Sequence, residues 1–341
     1  MNRPTRMFIE ASEGSAVVAA QLSHNATLLA RLGARLRAQP PRAVVTCARG
    51  SSDHASTYAR YLIEAHTPAL TSSSAPSLSS IYDANTDMRG VMFLAISQSG
   101  KSPDLLAATA SAKAGGALTV AFCNTDDAPL MNAVDVAVPL HAGRESSVAA
   151  TKSYIASLSC IVQLVASWTG QPALCEALAK LPAQLERAWN CNWNAGVAAL
   201  TDAVNLFVVA RGFGLAAAQE AALKLKETCG LHAEAFSSAE VRHGPMALVR
   251  AGFPVLMFGQ DDETRSGIEL LAAEFAARGA KVLLAGARAP GAEVLPGVVA
   301  HPVIQPILAI QSFYAMANNL SLARGLDPDR PPHLNKVTET V

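Results

Sequence analysis

Val91-Met92-Phe93-Leu94-Ala95-Ile96-Ser97-Gln98-Ser99-Gly100-Lys101-Ser102 is an apolar run that breaks off into hydroxyls, an amide and a glycine. The apolar part predicts a strand buried on both faces, as strands of a parallel sheet are. Asp104 then opens an alanine-rich helix with Leu105, Leu106, Ala108 and Ala112 on its apolar face. Strand, tight polar loop and helix start present backbone N–H groups and the positive end of a helix dipole to an anion. Ser97, Gln98, Ser99 and Ser102 add neutral donors that can wrap phosphate oxygens, and Gly100 lets the backbone come close. The same residues also describe a plain polar turn with Ser102 as helix N-cap. The rest of the chain weighs between the two.

The chain has 341 residues, enough for two domains at about 150 residues each. Half of it is apolar and 16% is charged, which suits sizeable cores and argues against disorder. Its 27 basic and 27 acidic residues balance, so neither a nucleic-acid partner nor a membrane-attracted face is expected. An anionic ligand must then be gripped locally. The six cysteines (Cys47, Cys123, Cys160, Cys175, Cys191 and Cys229) form no C-x-x-C pair. They read as reduced thiols, with no disulfide frame and no zinc site. The start, Met1 to Arg6, leads into no long apolar stretch, so no signal peptide is expected. No apolar run reaches the ~18 residues of a membrane span, and a cytoplasmic protein is expected.

Residues 7–37 read as helical, with a break at Asn25 or Thr27, and Gln39-Pro40-Pro41 stops the run. Ala43 to Cys47 reads as a buried strand, followed by the loop Ala48-Arg49-Gly50-Ser51-Ser52 and a helix from about Ser56 to Ala65. Further strands are expected near Ala69 and over 91–96, 118–123 and 134–140. Helices are expected over 103–114 and from Val148 to Trp168. Strands alternating with helices predict an α/β domain with a mostly parallel sheet. The pattern then repeats. Val44 to Gly50 matches Leu206 to Gly212, an offset of 162 residues. At that offset Phe93–Gln98 falls on Val255–Gln260, and the strand 118–123 falls, within a residue, on Lys281–Ala285. The last strand, near Val136, finds a partner near Pro302–Ile304. Two copies of one domain follow. They differ in one loop: Gln260-Asp261-Asp262-Glu263 puts three carboxylates where the first copy has serines. Like charge repels a phosphate, so one phosphate site per chain is expected, in the first copy.

An expected helix from Leu215 to Cys229 carries Glu220, Lys224 and Glu227 on one face. On most helices such a row is a solvated salt-bridge ladder. This helix is otherwise apolar, and it runs into His232-Ala233-Glu234 and Glu240-Val241-Arg242-His243-Gly244-Pro245. Two histidines and four glutamates between 220 and 243, in a charge-poor chain, give the density of titratable groups that proton transfer needs. No H-E-x-x-H, G-x-S-x-G or Walker loop occurs. Gly212-Phe213-Gly214-Leu215-Ala216-Ala217 fits G-x-G-x-x-A after a strand, but no acidic residue ends a recognisable strand ~20 residues on. Gly325-Leu326-Asp327-Pro328-Asp329-Arg330-Pro331-Pro332 cannot be a regular element. His333-Leu334-Asn335-Lys336-Val337-Thr338-Glu339 after it reads either as a frayed end or as a tail folded over a pocket. In the second case the single lysine could form a Schiff base with a sugar carbonyl.

Together these strings resemble a known family. ISQSG (96–100) with a hydroxyl two residues on, ESSVAATKSY (145–154), EAALKLKETCGLHAEAFSSAEVRHGP (220–245) and LNKVT (334–338) look like the isomerase half of glucosamine-6-phosphate synthase. They look equally like the stand-alone glucosamine-6-phosphate deaminases built on that half. The resemblance covers nearly the whole chain. It implies an α/β fold of two tandem SIS (sugar isomerase) domains, each a flavodoxin-like three-layer sandwich with a mostly parallel sheet. The implied division is an N-terminal helical segment (1–42), a first, phosphate-binding SIS domain (43–168), a helical linker (169–196), a second SIS domain (197–325) and a C-terminal active-site tail (326–341). Position by position, it implies that Ser52, Ser97, Gln98, Ser99 and Ser102 bind the sugar 6-phosphate, and that Val148 and Ala150 line the sugar. Glu227 would carry the proton between C1 and C2, and His243, from the second subunit of a homodimer, would open the ring. Lys336 would act at the ring-opening or Schiff-base step, with Glu220 and Lys224 as supporting polar groups. No metal and no cofactor is implied.

The chain departs from the synthase at Ala150, where the synthase usually has serine, and at Arg242 and Asn335. Lys101 stands where the synthase has an acid. The sequence also starts at the isomerase half, with no cysteine before Cys47, so it is expected not to draw ammonia from glutamine. The expected reaction is therefore conversion of glucosamine 6-phosphate to fructose 6-phosphate and ammonia, by ring opening and C2-to-C1 proton transfer. The alternatives are a related amino-sugar-phosphate deaminase or deglycase, an ammonia-using isomerase, and a non-catalytic sugar-phosphate regulator with tandem SIS domains.

Overall fold

The computed structural model describes residues 4–336. Met1–Arg3 of the expected N-terminal segment and Val337–Val341 of the expected tail lie outside the described residues. From the N-terminus come α1 (Arg6–Ser12), α2 (Gly14–Ala38), β1 (Ala43–Cys47), α3 (Ser51–His66), β2 (Leu70–Ser73) and α4 (Ser77–Ser80). Then follow β3 (Val91–Ser97), α5 (Pro103–Ala114), β4 (Leu118–Cys123), α6 (Pro129–Ala133), β5 (Val136–Pro139), α7 (Lys152–Thr169) and α8 (Pro172–Trp189). The rest runs α9 (Asn194–Leu200), β6 (Asn205–Ala210), α10 (Leu215–Cys229), β7 (His232–Ser237), β8 (Pro254–Phe258), α11 (Arg265–Ala277), β9 (Lys281–Ala285), β10 (Glu293–Leu295) and α12 (Gln305–Ala323). Two compact units form. One holds Ala16–Glu145, Lys152–Ala179 and the chain from Asn335; the other holds the chain up to Ser15, Ser146–Thr151 and Lys180–Leu334.

The first of these units contains a parallel five-stranded sheet in the order β2-β1-β3-β4-β5. β3 lies at its centre, with Ala43–Cys47 of β1 beside Val91–Ala95 and Leu118–Cys123 of β4 beside Met92–Ser97. All seven β3 residues are buried, which explains the unbroken apolar run. Phe93, Ala95, Leu105, Ala108, Ala121 and Leu130 share one core cluster, so the packed helix face is the one the spacing predicts, although Leu106 sits only at its margin. The chain builds the sheet to one side from β1 to β2 and to the other from β1 to β3. The loops after β1 and β3 therefore open side by side at the C-terminal edge, the place where parallel sheets hold ligands.

The other unit contains a parallel sheet in the order β10-β9-β8-β6-β7, the same topology repeated. Phe207, Val255, Met257, Leu271, Phe275, Val282 and Leu284 fill the core between this sheet and α11. Each such side chain contributes about 1.5–3 kcal/mol by leaving water.

Four local expectations are corrected. The last strand of the second sheet is Glu293–Leu295, not Pro302–Ile304. Pro302 has no N–H for a ladder, and Ile304 already turns into α12 as its N-cap. The early helical stretch breaks at Glu13, which caps α1, not at Asn25 or Thr27. Asn25 stays within α2 because its amide is occupied elsewhere, donating to Pro139 O at 2.7 Å. α3 begins at Ser51 rather than near Ser56. α7 begins at Lys152 rather than Val148, where the Glu145 carboxylate accepts the Ser153 N–H and caps the first turn.

Candidate functional site

The serine loop is built by the end of β3 and the start of α5. Ser97 is buried, and its hydroxyl accepts from Gly100 N at 2.9 Å, which folds the loop back on itself. Gln98 O accepts from Thr125 Oγ1 at 3.2 Å, and Ser99 Oγ accepts from Lys101 N at 3.4 Å. Ser102 occupies the N-cap of α5, yet its side chain makes no cap hydrogen bond. That hydroxyl remains available to a ligand, which favours the anion site over the plain turn. Ser52 enters beside it from the first turn of α3, after Gly50 with φ +56°. Arg49 ties the two loops together: its guanidinium meets the fully buried Asp104 carboxylate at 2.7 and 2.9 Å. The arginine charge is thus matched, and the donors left for an anion are hydroxyls and N–H groups. Lys101 is exposed.

Gly100 has φ +63°, and a Cβ there would stand 2.5 Å from Ala128 Cβ and 2.7 Å from Cys123 Sγ. Gly100→Ala is therefore expected to lower stability by about 2–3 kcal/mol, read by urea unfolding, and to weaken sugar-phosphate binding with it. A variant as stable as wild type contradicts this account of the loop.

In the other unit, residues 146–151 carry Val148 and Ala150, both partly buried. The Glu10 carboxylate accepts from Ser146 N at 2.5 Å and from Ser147 N at 3.0 Å. Those N–H groups are met by a side chain, which anchors the segment ahead of α7.

The same unit contains the α10 face. Lys224 Nζ lies 2.6 Å from Glu227 Oε2 and 3.3 Å from Glu220 Oε1, and Tyr314 of α12 donates its hydroxyl to Glu220 Oε1 at 3.2 Å. The Lys224 and Glu220 side chains are buried, while Glu227 is 20% exposed. This is not a solvated ladder. Burial disfavours the Lys224 ammonium, but the two carboxylates outweigh it and hold its pKa above the ordinary lysine value. A carboxylate backed by a fixed cation and open on one side can take and return a proton. His243 follows a short turn, Glu240–Arg242, and is exposed. Among the described residues its ring joins no hydrogen bond or ion pair. Lys336 reaches Glu145, in the unit that holds the serine loop, at 3.1 Å.

The loop after β8 engages two of its three acids. Asp262 accepts from Thr264 N at 2.9 Å and from its hydroxyl at 2.6 Å, and Asp261 pairs with Arg265 at 2.8 Å. Gln260, buried, donates to Asp262. No group of three or more metal-ligating side chains occurs among the described residues. No described helix is long and apolar enough to cross a membrane. Cys47, Cys123 and Cys160 are buried and free, and desolvation pushes the Cys47 thiol up to about 12.

Sequence reasoning did not single out Glu10, Glu145 or Tyr314. Glu145 opens the ESSVAATKSY string and was within reach as an acid in a charge-poor stretch. Glu10 and Tyr314 carry no local signal.

Comparison with known proteins gives three findings. The SIS domain model matches residues 38–167 and 199–285. The isomerizing glutamine–fructose-6-phosphate aminotransferase of Leifsonia xyli subsp. xyli is 33% identical over 275 residues, 72% of this chain and 44% of that protein. The chain spans about half the length of the curated relatives it matches. Among solved structures, a protein of Silicibacter pomeroyi DSS-3, provisionally described as a phosphosugar isomerase, is 42% identical with a TM-score of 0.92, over 95% of this chain and all of that one. The C-terminal domain of the Francisella tularensis glucosamine-fructose-6-phosphate aminotransferase shares the fold, with a TM-score of 0.84 at 24% identity over 97% of this chain and 99% of that one.

Proposed function

The chain belongs to the SIS-domain family, and from that premise we propose that it converts glucosamine 6-phosphate to fructose 6-phosphate and ammonia. Its similarity to the isomerase domain of isomerizing glutamine–fructose-6-phosphate aminotransferases supports sugar-phosphate isomerisation chemistry. The observation that carries the proposal is the Glu220–Lys224–Glu227 cluster, a carboxylate poised over a buried cation on an apolar helix. A domain that only senses a sugar phosphate has no need of it.

In the proposed reaction the 6-phosphate is held by Ser52, Ser97, Gln98, Ser99 and Ser102. Val148 and Ala150 line the sugar, with alanine offering less to a hydroxyl than serine does. His243, from a second copy of the chain, protonates the ring oxygen as the C1 hydroxyl gives up its proton, and the ring opens. Glu227 takes the C2 proton and returns it to C1, while O1 gains a proton and the C2 amine gives one up, leaving a hydroxyl at C1 and an imine at C2. Lys224 and Glu220 keep Glu227 in place, and Lys336 assists ring opening or the imine step. Water adds to C2, the C2–N bond breaks, and ammonia leaves. A homodimer and a cytoplasmic location belong to the same proposal, with SIS domains at 43–168 and 197–325. Exposed Leu78, Ile81 and Tyr82, just after edge strand β2, support burial against a second copy.

Incubation with glucosamine 6-phosphate tests the proposal. Fructose 6-phosphate and ammonia are expected in equal amounts, and a faster rate than on the galactosamine epimer. Folded protein that binds the sugar phosphate and yields neither product contradicts it and favours a regulator.

A further inference from the structure

Glu145 has no role in the reaction as set out above, yet its side chain is fully buried. It sits at the end of a firmly held loop. Ala142 N donates to Asn124 Oδ1 at 2.9 Å, and Asn124 Nδ2 donates to Gly143 O at 2.8 Å. Ser153 and Lys336 then meet the carboxylate. Ser153, the second residue of α7, donates its backbone N–H to Oε1 at 3.2 Å and its hydroxyl to Oε2 at 2.7 Å. The carboxylate thus stands at the positive end of an 18-residue helix. Lys336 brings a cation to the same Oε2 at 3.1 Å, from 191 residues away in sequence. Its side chain is 23% exposed, so the ion pair lies at a rim, with its anion dry and its cation partly exposed.

We infer that Glu145 is a positioning residue that docks the Lys336 ammonium and so fixes where the chain stands at Lys336. A buried carboxylate already oriented by a helix start loses little freedom when the lysine arrives, whereas the tail gains a defined end point. The part this plays in turnover rests on the proposed function; the docking does not.

Limited trypsinolysis reads the docking without substrate, because trypsin must draw the Lys336 side chain into its own acidic pocket to cut the Lys336–Val337 bond. Release of the Val337–Val341 peptide, followed by mass spectrometry, is expected to be about tenfold faster in Glu145→Gln than in wild type. Ser153→Ala, which removes a hydrogen bond but not the charge, should match wild type. If Glu145→Gln does not fold, Glu145→Asp withdraws the charge by one methylene and is expected to release faster in the same way. On glucosamine 6-phosphate, Glu145→Gln is expected to lose about 30-fold in kcat with KM within about threefold. Glu145→Gln combined with Lys336→Gln should lose no more than Lys336→Gln alone. Equal release from wild type and the folded variant overturns the inference, and additive losses in kcat overturn the positioning role. Faster release with no turnover by any protein, wild type included, supports the docking and contradicts the proposed function.

Discussion

Glu227→Gln is expected to lower kcat on glucosamine 6-phosphate by about a thousandfold while KM stays within about threefold. The amide has nearly the same shape as the carboxylate. Its oxygen can still accept from Lys224 Nζ, which lies 2.6 Å from Oε2. What it cannot do is take a proton from carbon. In the proposed reaction the phosphate is held by other residues, so calorimetric titration of the variant should still show the sugar binding, near the wild-type KM. Turnover within tenfold of wild type removes Glu227 from proton transfer and leaves the cluster a purely structural one.

Lys224→Met is expected to cost about 3–5 kcal/mol of stability and to abolish turnover. Methionine nearly preserves the length of the side chain, so the loss is one of charge rather than volume. The fully buried Glu220 loses its counter-charge, and Glu227 loses the cation 2.6 Å away. The pH dependence has a definite sign. Lys224 is held above its ordinary value of 10.5, against the effect of burial, by Glu220 and Glu227. A raised lysine value contributes stability that is fully present below the unfolded value and is lost only as pH rises through the folded one. The difference between wild type and variant in urea unfolding should therefore be the same at about pH 6 and about pH 8, and shrink only above about pH 10.5. A deficit below about 1 kcal/mol, or one that falls between the two lower values, contradicts this reading of the cluster.

Much of the fold could be read in the sequence because its signals are local. The apolar run 91–96 becomes the central strand, and the offset of 162 residues between Val44 and Leu206 becomes two sheets of identical topology. Glu220, Lys224 and Glu227 share a face because helical spacing alone requires it. What escaped was set by distant contacts. Residues 148–151 look helical, but the helix starts only at Lys152, where the Glu145 carboxylate takes the Ser153 N–H. Tyr314 meets Glu220 across 94 residues, and no periodicity announces it. The edge strand β10 is only three residues long, too short to show an alternation, while Val303 and Ile304 supplied a stronger apolar signal and went instead into the approach to α12.

The serine loop differs from a plain capped turn. Ser97 is occupied in shaping the loop, whereas Ser102 holds the N-cap position without capping. The claim that this loop receives the substrate's phosphate is tested most directly by a crystal structure of the protein soaked with glucosamine 6-phosphate. The predicted result is a phosphate seated within hydrogen-bond reach of Ser97, Ser99 and Ser102, with Ser52 and the loop N–H groups completing its shell. A phosphate settled at the acidic loop of residues 260–263, or anywhere else with the serine loop bare, contradicts the account.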